Sequence, residues 1–338
     1  MGDHGMKTTS IGVQNLCVPC HNRCRYCLLS WDGKLPGMDY DRSSAYARRF
    51  HEWLRENRPD LSFQFYFGYS MEHPRLLEAI DFMQSLGSAG GRFLQLDGLA
   101  FRDEAQTAAF LGGLRAHGIQ DINLTIYGTR EYHDRFAGRR GDYDYLLTIL
   151  RTASDIGLSA SVGIPVTREN ASQLPELIAL LEQNRLSSLR CFIPHAEGRG
   201  ASLDPVRLRG SDFDALLPAI QSRFNRKVFK TEAEWLSSDP LPIPEKRALT
   251  ISLTPENVDF FQALPFDETI AYLEKLDDDY YSVLPSIPEL MERYGAPAGD
   301  GLYSFRDLCL HYQRRYVAEH GLRLYDVTDE RGCFSRRY

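Results

Sequence analysis

Short apolar stretches alternate with amphipathic segments along the first two thirds of the chain, and this pattern predicts alternating strands and helices. The predicted strands lie at residues 8–16, 61–67, 93–96, 122–127, 158–166 and 188–193. The predicted helices lie at residues 43–55, 74–86, 103–117, 143–156 and 173–183. Strands that alternate with helices of this length are typical of βαβ units with right-handed crossovers and a parallel sheet.

The number of these units predicts an α/β fold of a particular kind. Six units are too few for a closed eight-stranded barrel, so we expect a partial, six-unit β/α barrel at residues 1–225. Residues 226–338 begin with a proline-rich stretch and continue with amphipathic segments at 266–276 and 305–320. Residues 322–327 are the one strand candidate there. The pattern therefore predicts a smaller, mainly helical C-terminal appendage that caps the barrel.

Composition and charge exclude several classes of protein. The 338 residues are 43% hydrophobic and 25% charged, as in ordinary globular proteins. The net charge of −7 gives no overall basic field for binding nucleic acid or an anionic membrane surface. Apolar stretches long enough for a membrane-spanning helix are absent from the sequence, and residues 1–10 lack the apolar core of a secretory signal. We expect a cytoplasmic protein.

Four of the seven cysteines fall within eleven positions, directly after the first predicted strand. Clustered thiols in an intracellular chain hold metal more often than they form disulfides. Cys20, Cys24 and Cys27 form Cys-x3-Cys-x2-Cys in the text CHNRCRYC. Three thiolates on one tight loop can bind three irons of a [4Fe-4S] cluster and leave the fourth iron open to a small molecule.

Cys17 leaves an alternative open. With the other three it forms Cys-x2-Cys-x3-Cys-x2-Cys, which could close a four-thiolate site for zinc or for a ferredoxin-type cluster. A closed four-thiolate site of this kind would not explain why six βα units follow it in the sequence. Cys17 is otherwise a small buried residue at the end of the first strand.

The CHNRCRYC loop, with Tyr26 before its last cysteine, resembles the signature of the radical S-adenosylmethionine (radical SAM) superfamily, and the βα layout is similar to that family's partial barrel. The resemblance implies that Cys20, Cys24 and Cys27 bind a [4Fe-4S] cluster and that SAM binds its open iron. It also implies that SAM is cleaved reductively to a 5′-deoxyadenosyl radical, which abstracts a hydrogen atom from the substrate. The electron would come from an external reductant such as flavodoxin or ferredoxin.

The same resemblance implies SAM-binding positions at the C-terminal ends of the strands. After the second strand, Gly68, Tyr69 and Ser70 stand where the family carries Gly-Gly-Glu, although the glutamate is missing here. Asp97 follows the third strand, where it is either a SAM contact or a turn residue. The other candidate SAM-binding residues are Tyr26, Thr125, Arg139, Arg140, Ile164, Phe192 and Ile193.

These candidates divide by the part of SAM that each would contact. Thr125 suits the carboxylate or ribose, and the guanidinium of Arg139 or Arg140 suits the carboxylate, because an arginine fork matches a carboxylate. Ile164, Phe192 and Ile193 are expected near the adenine.

Further polar residues surround these positions. His133 and Asp134 follow the fourth strand, where they either brace the loop or act in the chemistry, and bracing is the first expectation. His195, Glu197 and Arg199 follow the sixth strand, where they either face the substrate or lie in a surface loop.

The substrate is less well defined by the sequence. A small molecule is the first hypothesis, and a peptide or protein side chain, as in ribosomal-peptide maturation, is the alternative. A non-catalytic four-cysteine iron-sulfur or zinc protein is a third. Cys309 and Cys333 are candidate hydrogen donors to a substrate radical, or else structural cysteines, and two cysteines are too few to support a second cluster in the appendage.

Overall fold

The computed structural model describes residues 7–15, 20–27, 37–67, 71–87, 92–196, 198–242, 246–295 and 299–322. The strands in these ranges are β1 (Lys7–Asn15), β2 (Ser62–Phe67), β3 (Phe93–Gln95), β4 (Asp121–Thr125), β5 (Ser159–Pro165), β6 (Leu186–Phe192) and β7 (Lys246–Leu253). The helices of the first part are α1 (Tyr40–Asn57), α2 (Leu76–Ser85), α3 (Glu104–Ala116), α4 (Arg130–Ala137), α5 (Asp142–Asp155) and α6 (Leu174–Leu181). They are followed by α7 (Gly210–Asp214), α8 (Pro218–Gln221), α9 (Glu232–Leu236), α10 (Val258–Ala263), α11 (Phe266–Ser282), α12 (Ile287–Tyr294) and α13 (Phe305–Glu319).

The strands form two parallel sheets. One has the order β2-β1-β7 and the other the order β3-β4-β5-β6. In the first sheet, Asn15 at the end of β1 is in register with Phe67 of β2 and with Leu253 of β7. In the second, Thr125 at the end of β4 is in register with Gly163. The C-terminal ends of neighbouring strands therefore lie together, and the predicted α/β class with a partial parallel barrel is confirmed.

The first part of the chain follows the predicted order of strands and helices. Long apolar runs such as that of β5, which is buried over six of its seven residues, fit strands covered on both faces. Asp103 caps α3, with Gln106 completing a capping box. The short helix α4 was not predicted, because it has only eight residues and most of them are polar.

The C-terminal part contains a strand that the sequence analysis did not predict. Residues 246–253 lie inside the region predicted to be mainly helical, yet β7 pairs along its length with β1. The alternation of Leu249, Ile251 and Leu253 with polar residues was the available pattern. The predicted strand at 322–327 lies outside the described residues apart from Leu322, which is not in a strand.

The remaining C-terminal helices pack in two places. Phe266 at the start of α11 stacks on Phe50 of α1 with ring centroids 4.6 Å apart, so α11 belongs to the main core. Helices α9, α12 and α13 share a second core, which includes Trp235, Leu290 and Leu308. Ala196, just after β6, also belongs to this second core. The predicted helical C-terminal portion is therefore present, and part of it covers the loop that follows β6.

Candidate functional site

The cysteine loop, residues 20–27, is attached by its backbone to two other segments. The amide of His21 donates to the carbonyl of Gly98 over 2.9 Å, in the turn after β3. The amides of Arg23 and Arg25 donate to the carbonyls of Ala137 and Phe136 over 2.7 and 2.9 Å, at the end of α4. The loop therefore lies across the C-terminal ends of the second sheet.

The three loop thiols lie near one another in a largely buried place. Burial raises the pKa of Cys20 to about 11, and the charges of Asp97 and Cys27 contribute. Burial also raises the pKa of Cys24 well above its ordinary value, with contributions from Cys20, Asp97 and Cys27. The hydroxyl of Tyr127, just after β4, donates to the sulfur of Cys24 over 3.0 Å. The negative charge of a thiolate at one of these positions would thus raise the pKa of neighbouring thiols.

Gly98 makes room for the first of these thiols. Its φ of +69° lies in the left-handed region that favours glycine. A Cβ atom at this position would lie 2.3 Å from the sulfur of Cys20. The turn after β3 can therefore approach Cys20 closely only because residue 98 has no side chain.

Asp97 and Thr125, two of the predicted SAM-binding residues, contact each other directly. The Asp97 carboxylate accepts from the Thr125 amide over 2.8 Å and from the Thr125 hydroxyl over 2.7 Å. It also accepts from the side-chain amide of Gln95 over 2.7 Å. Burial raises the pKa of Asp97, although these hydrogen bonds oppose the rise. The two residues form one polar group beside the cysteine loop.

Aromatic rings surround Tyr26, another of the predicted residues. Its ring centroid lies 5.5 Å from that of Tyr127, 6.1 Å from Phe136 and 6.4 Å from Phe192. Burial, together with the charge of Asp97, raises the pKa of the Tyr26 hydroxyl. These rings form a wall that keeps water away from one side of the thiols.

A buried network of hydrogen bonds joins the cysteine loop to α4 and α5. The side-chain amide of Asn22 donates to the Asp142 carboxylate over 3.0 Å, and the same oxygen lies 3.1 Å from Nε2 of His133. The other ring nitrogen of His133 accepts from the Tyr127 amide over 3.1 Å. Asp134 accepts from the amides of residues 141 and 143. His133 and Asp134 thus form hydrogen bonds with protein groups around the loop after β4 and the start of α5.

The two predicted arginines lie in different environments. Arg139 donates to the carbonyl of Leu99 over 2.5 Å and lies 3.3 Å from Asp142, with its guanidinium over the ring of Phe101. Its guanidinium thus faces protein groups that support the loop. Arg140 is exposed on the surface.

The residues predicted near the adenine lie at the ends of β5 and β6. Ile164 and Ile193 are fully or almost fully buried, at 0% and 1% exposure. The ring of Phe192 lies over Gly163, where a Cβ atom would come within 3.1 Å of it. Phe192 therefore stands between the end of β5 and Tyr26.

The loop after β6 connects the cysteine loop to the C-terminal helices. The amide of Arg199 donates to the carbonyl of Cys27 over 3.0 Å, and its guanidinium donates to the carbonyl of Cys24 over 2.9 Å. The ring of His195 lies 3.0 Å from the buried carboxylate of Asp307 on α13. His195 thus meets α13, whereas Arg199 meets the cysteine loop.

Some predicted residues lie apart or outside the described ranges. Cys309 is half-buried beside the second core, and burial raises its pKa to about 12. The described hydrogen bonds of residues 20–27 do not include one to Cys309. The predicted residues outside the described ranges are Cys17, Gly68, Tyr69, Ser70, Glu197 and Cys333.

Several residues of this site were not predicted from the sequence. Each of them contacts a predicted residue, and they are Asn22, Tyr127, Asp142 and Asp307. Tyr127 follows β4 directly and could have been found from its position at a strand end. The other three could not have been found from a local sequence pattern, because tertiary packing brings them to the site.

The three loop thiols are a donor set that fits an iron-sulfur cluster. A [4Fe-4S] cluster binds each thiolate at a separate iron, and three neighbouring thiols on one short loop meet that requirement. Among the described residues, no group of three His, Cys, Asp or Glu side chains is placed as a site for one metal ion.

No helix in the described ranges is long and apolar enough to cross a membrane.

Comparisons with known proteins give distant similarities. No family model matches the sequence. A curated relative, Fe-coproporphyrin III synthase of Methanosarcina barkeri (strain Fusaro / DSM 804), is 23% identical over 90 residues. The match covers 27% of this chain and 23% of that protein, so this chain spans less than a quarter of the relative's length.

Solved structures also resemble the chain. The radical SAM enzyme coproporphyrinogen III oxidase (HemN) of Escherichia coli is 10% identical with a TM-score of 0.41, over 92% of this chain and 91% of that one. The anSMEcpe protein with bound AdoMet is 13% identical with a TM-score of 0.45, over 92% and 98%. Streptococcus suis SuiB, bound to its precursor peptide SuiA, is 11% identical with a TM-score of 0.41, over 56% and 40%.

Similarities this distant carry no argument about substrate or reaction. The CHNRCRYC loop and the parallel β/α sheets behind it are the features in which the chain is similar to the radical SAM superfamily.

Proposed function

We propose that this protein is a radical SAM enzyme in which Cys20, Cys24 and Cys27 bind a [4Fe-4S] cluster and SAM binds the fourth iron. The observation that carries the proposal is the gathering of these thiols at the C-terminal ends of parallel strands, beside the Asp97–Thr125 pair. When bound, the cluster supplies the electron for reductive cleavage of SAM, and hydrogen-atom abstraction from the substrate follows.

The chain's own residues bind and orient in this proposal. Asp97 and Thr125 offer a carboxylate and a hydroxyl to the polar groups of SAM. Phe192 offers an apolar surface to its adenine, and the buried Ile164 and Ile193 pack at the ends of the strands beside it. Tyr26 and its neighbouring rings exclude water, which protects a radical reaction from side reactions.

Two arginines position the loop in the proposal. Arg139 supports it through the carbonyl of Leu99 and through Asp142, and Arg199 supports it through the carbonyls of Cys24 and Cys27. This role differs from the SAM contact that the family resemblance implies for Arg139. Gly68, Tyr69 and Ser70 remain proposed SAM contacts, and Cys309 and Cys333 remain proposed hydrogen donors.

We propose a small molecule as the substrate. The helices around the second core cover the loop after β6 and are proposed to cap the barrel over a substrate of limited size. A peptide side chain is the alternative.

Cleavage of SAM tests the function. The anaerobically reconstituted, dithionite-reduced protein is expected to convert SAM to methionine and 5′-deoxyadenosine, measured by liquid chromatography. Cys24→Ala is expected to abolish the conversion, whereas Cys191→Ala, which removes a buried cysteine of β6 outside the loop, is the matched control. Full iron content and SAM cleavage in Cys24→Ala would contradict the proposal, as would a wild-type protein that binds zinc alone.

A second assay separates the substrate classes. A low-mass cell extract that contains the substrate is expected to increase 5′-deoxyadenosine formation. An increase that survives protease treatment of the extract supports a small molecule. An increase that protease removes supports a peptide.

A further inference from the structure

A histidine and a buried carboxylate form a pair where the loop after β6 meets α13. Nδ1 of His195 lies 3.0 and 3.2 Å from the two carboxylate oxygens of Asp307. The side chain of His195 is 36% exposed, whereas that of Asp307 is only 1% exposed. A histidine that is oriented by a buried carboxylate, while part of its ring stays accessible, is the arrangement that enzymes use for proton transfer.

The carboxylate of Asp307 is itself held by the start of α13. Ser304, the N-cap residue, donates from its hydroxyl to Asp307 over 2.6 Å and accepts from the Asp307 amide over 3.1 Å. Because a carboxylate accepts hydrogen bonds, Nδ1 of His195 carries the ring proton and Nε2 carries the lone pair. In this tautomer His195 can accept a proton at Nε2.

The pair lies close to the cysteine loop. His195 follows β6, whose last residue, Phe192, has its ring centroid 6.4 Å from that of Tyr26. A Cβ atom at Gly200 would lie 2.2 Å from the carbonyl oxygen of His195 and 3.4 Å from that of Tyr26. The backbones at His195 and Tyr26 therefore approach each other with only a glycine between them. This places His195 at the same end of the sheet as the loop thiols.

A second histidine and carboxylate pair provides a comparison within the same chain. Nδ1 of His117 lies 2.8 Å from the carboxylate of Asp81. The side chains of His117 and His195 are almost equally exposed, at 35% and 36%, but Asp81 is 58% exposed and Asp307 is 1% exposed. An exposed pair of this kind is only weakly held. His117 also precedes β4 and so lies at the opposite end of the strands from the cysteine loop.

We propose that His195, positioned by Asp307, is the base that accepts a proton from the substrate of the radical reaction, an inference that rests on the proposed function. The substrate is then a small molecule with an O–H or N–H bond at or beside the carbon that loses its hydrogen atom. That bond breaks, its electron pair stays on oxygen or nitrogen, and the proton forms an N–H bond at Nε2. The unpaired electron stays on the substrate, so this step needs no oxidant.

The order of events follows from the chemistry of radicals. A carbon radical makes a neighbouring O–H or N–H group more acidic, so the base acts once the hydrogen atom has been removed. Asp307 belongs to α13, and Arg314 of the same helix donates to the carbonyl of Ala196 over 2.7 Å. The helix that covers the loop after β6 therefore also supplies the carboxylate that orients the base.

Substitution of each residue tests the proposal in the reconstituted protein. His195→Gln and Asp307→Asn are compared with His117→Gln, the matched control. The measurement is the stimulation of 5′-deoxyadenosine formation by the low-mass extract, relative to each protein's own rate without extract. The stimulation is expected to fall about 100-fold in His195→Gln and in Asp307→Asn. His117→Gln is expected to keep the stimulation of wild type.

Free imidazole separates proton transfer from packing. In His195→Ala, added imidazole is expected to restore the stimulation by the extract. Pyrazole has the same size but is a much weaker base, so it is expected to restore nothing. Wild type with imidazole is the control for binding of imidazole to iron. Equal restoration by pyrazole would mean that the ring only fills space, and it would overturn the proposal.

A measurement without substrate tests the pairing itself. Diethyl pyrocarbonate acylates a histidine nitrogen that carries a lone pair, and peptide mass spectrometry gives the rate at each histidine. In Asp307→Asn the new amide can donate to Nδ1 and move the ring proton to Nε2. The rate at His195 is then expected to fall about 5-fold, while the rate at His117 in the same sample stays unchanged. Equal rates at His195 in wild type and Asp307→Asn would overturn the proposal.

Failure of the proposed function gives a different result from failure of the base. A wild-type protein that cleaves no SAM, with or without extract, would overturn the proposed function itself. A wild-type protein that cleaves SAM, together with full stimulation in both His195→Gln and Asp307→Asn, would overturn the role of His195 alone.

Discussion

The hydroxyl of Tyr127 donates a hydrogen bond to the sulfur of Cys24 over 3.0 Å. Tyr127 is only 1% exposed, and its ring stacks on that of His133 with centroids 4.9 Å apart. Its amide is also bound by His133. His133 of α4 thus holds both the ring and the backbone of Tyr127, which fixes the position of the hydroxyl. A hydrogen bond to a ligating sulfur stabilises negative charge there, and such bonds are among the factors that set a cluster's reduction potential.

Tyr127→Phe is expected to lower the midpoint potential of the cluster, because the reduced state carries one more negative charge and loses a donor. The measurement is a redox titration followed by electron paramagnetic resonance. Tyr132→Phe is the matched control, because it removes a hydroxyl from the same aromatic cluster but from contacts with Thr167 and Glu169. Equal potentials in Tyr127→Phe and wild type would show that the hydrogen bond does not act on the cluster.

Gly98→Ala is expected to prevent the turn after β3 from packing on the cysteine loop. The left-handed backbone costs a residue with a Cβ atom about 1–2 kcal/mol, and the close approach to Cys20 adds to this cost. We expect a lower melting temperature and loss of bound iron. Gly112→Ala is the matched control, since it lies in α3 with no atom within 4 Å of a new Cβ, and it is expected to stabilise the protein by about 0.5–1 kcal/mol. Normal iron content in Gly98→Ala would contradict the predicted packing.

Asn22→Ala is expected to weaken the attachment of the cysteine loop to α5. It removes the hydrogen bond to the buried Asp142 carboxylate, and hydrogen bonds to charged groups contribute about 1.5–3 kcal/mol. Alkylation of the loop thiols in cluster-free protein, followed by mass spectrometry, is expected to become faster. Asn184→Ala, which removes bonds of 3.3 and 3.5 Å to helix carbonyls, is the control. Equal alkylation rates in Asn22→Ala and wild type would rule out a bracing role.

The sequence predicted the order of the first six strands because their apolar runs are continuous and turns separate them. It also placed Cys20, Cys24 and Cys27 on a loop after the first strand. It could not predict that Asp142, in the first turn of α5, would reach Asn22, because the two lie 120 positions apart and neither is part of a local motif. It missed β7 for a related reason, since that strand follows a proline-rich stretch and meets β1 only through tertiary pairing.

The stability of the protein is expected to depend on Cys191 at alkaline pH. Burial raises the pKa of this thiol from 9.0 to about 12. The folded state therefore keeps the proton that the unfolded state loses above pH 9. The contribution is complete below that pH and decreases as the pH rises toward 12, by up to about 1.4 kcal/mol per pH unit.

Chemical denaturation of wild type and Cys191→Ala at several pH values measures this contribution. The difference in unfolding free energy between the two proteins is expected to be constant below pH 9 and to shrink above it. A difference that stays constant up to pH 11 would contradict the buried, protonated thiol.

Electron paramagnetic resonance of the reconstituted, dithionite-reduced protein, with and without SAM, tests whether SAM binds an open iron of the cluster. We expect a [4Fe-4S]⁺ signal whose g values shift when SAM is added, because SAM binds the iron that Cys20, Cys24 and Cys27 leave open. A cluster signal that SAM does not shift would mean that a fourth protein ligand closes the site, and it would contradict the proposed function.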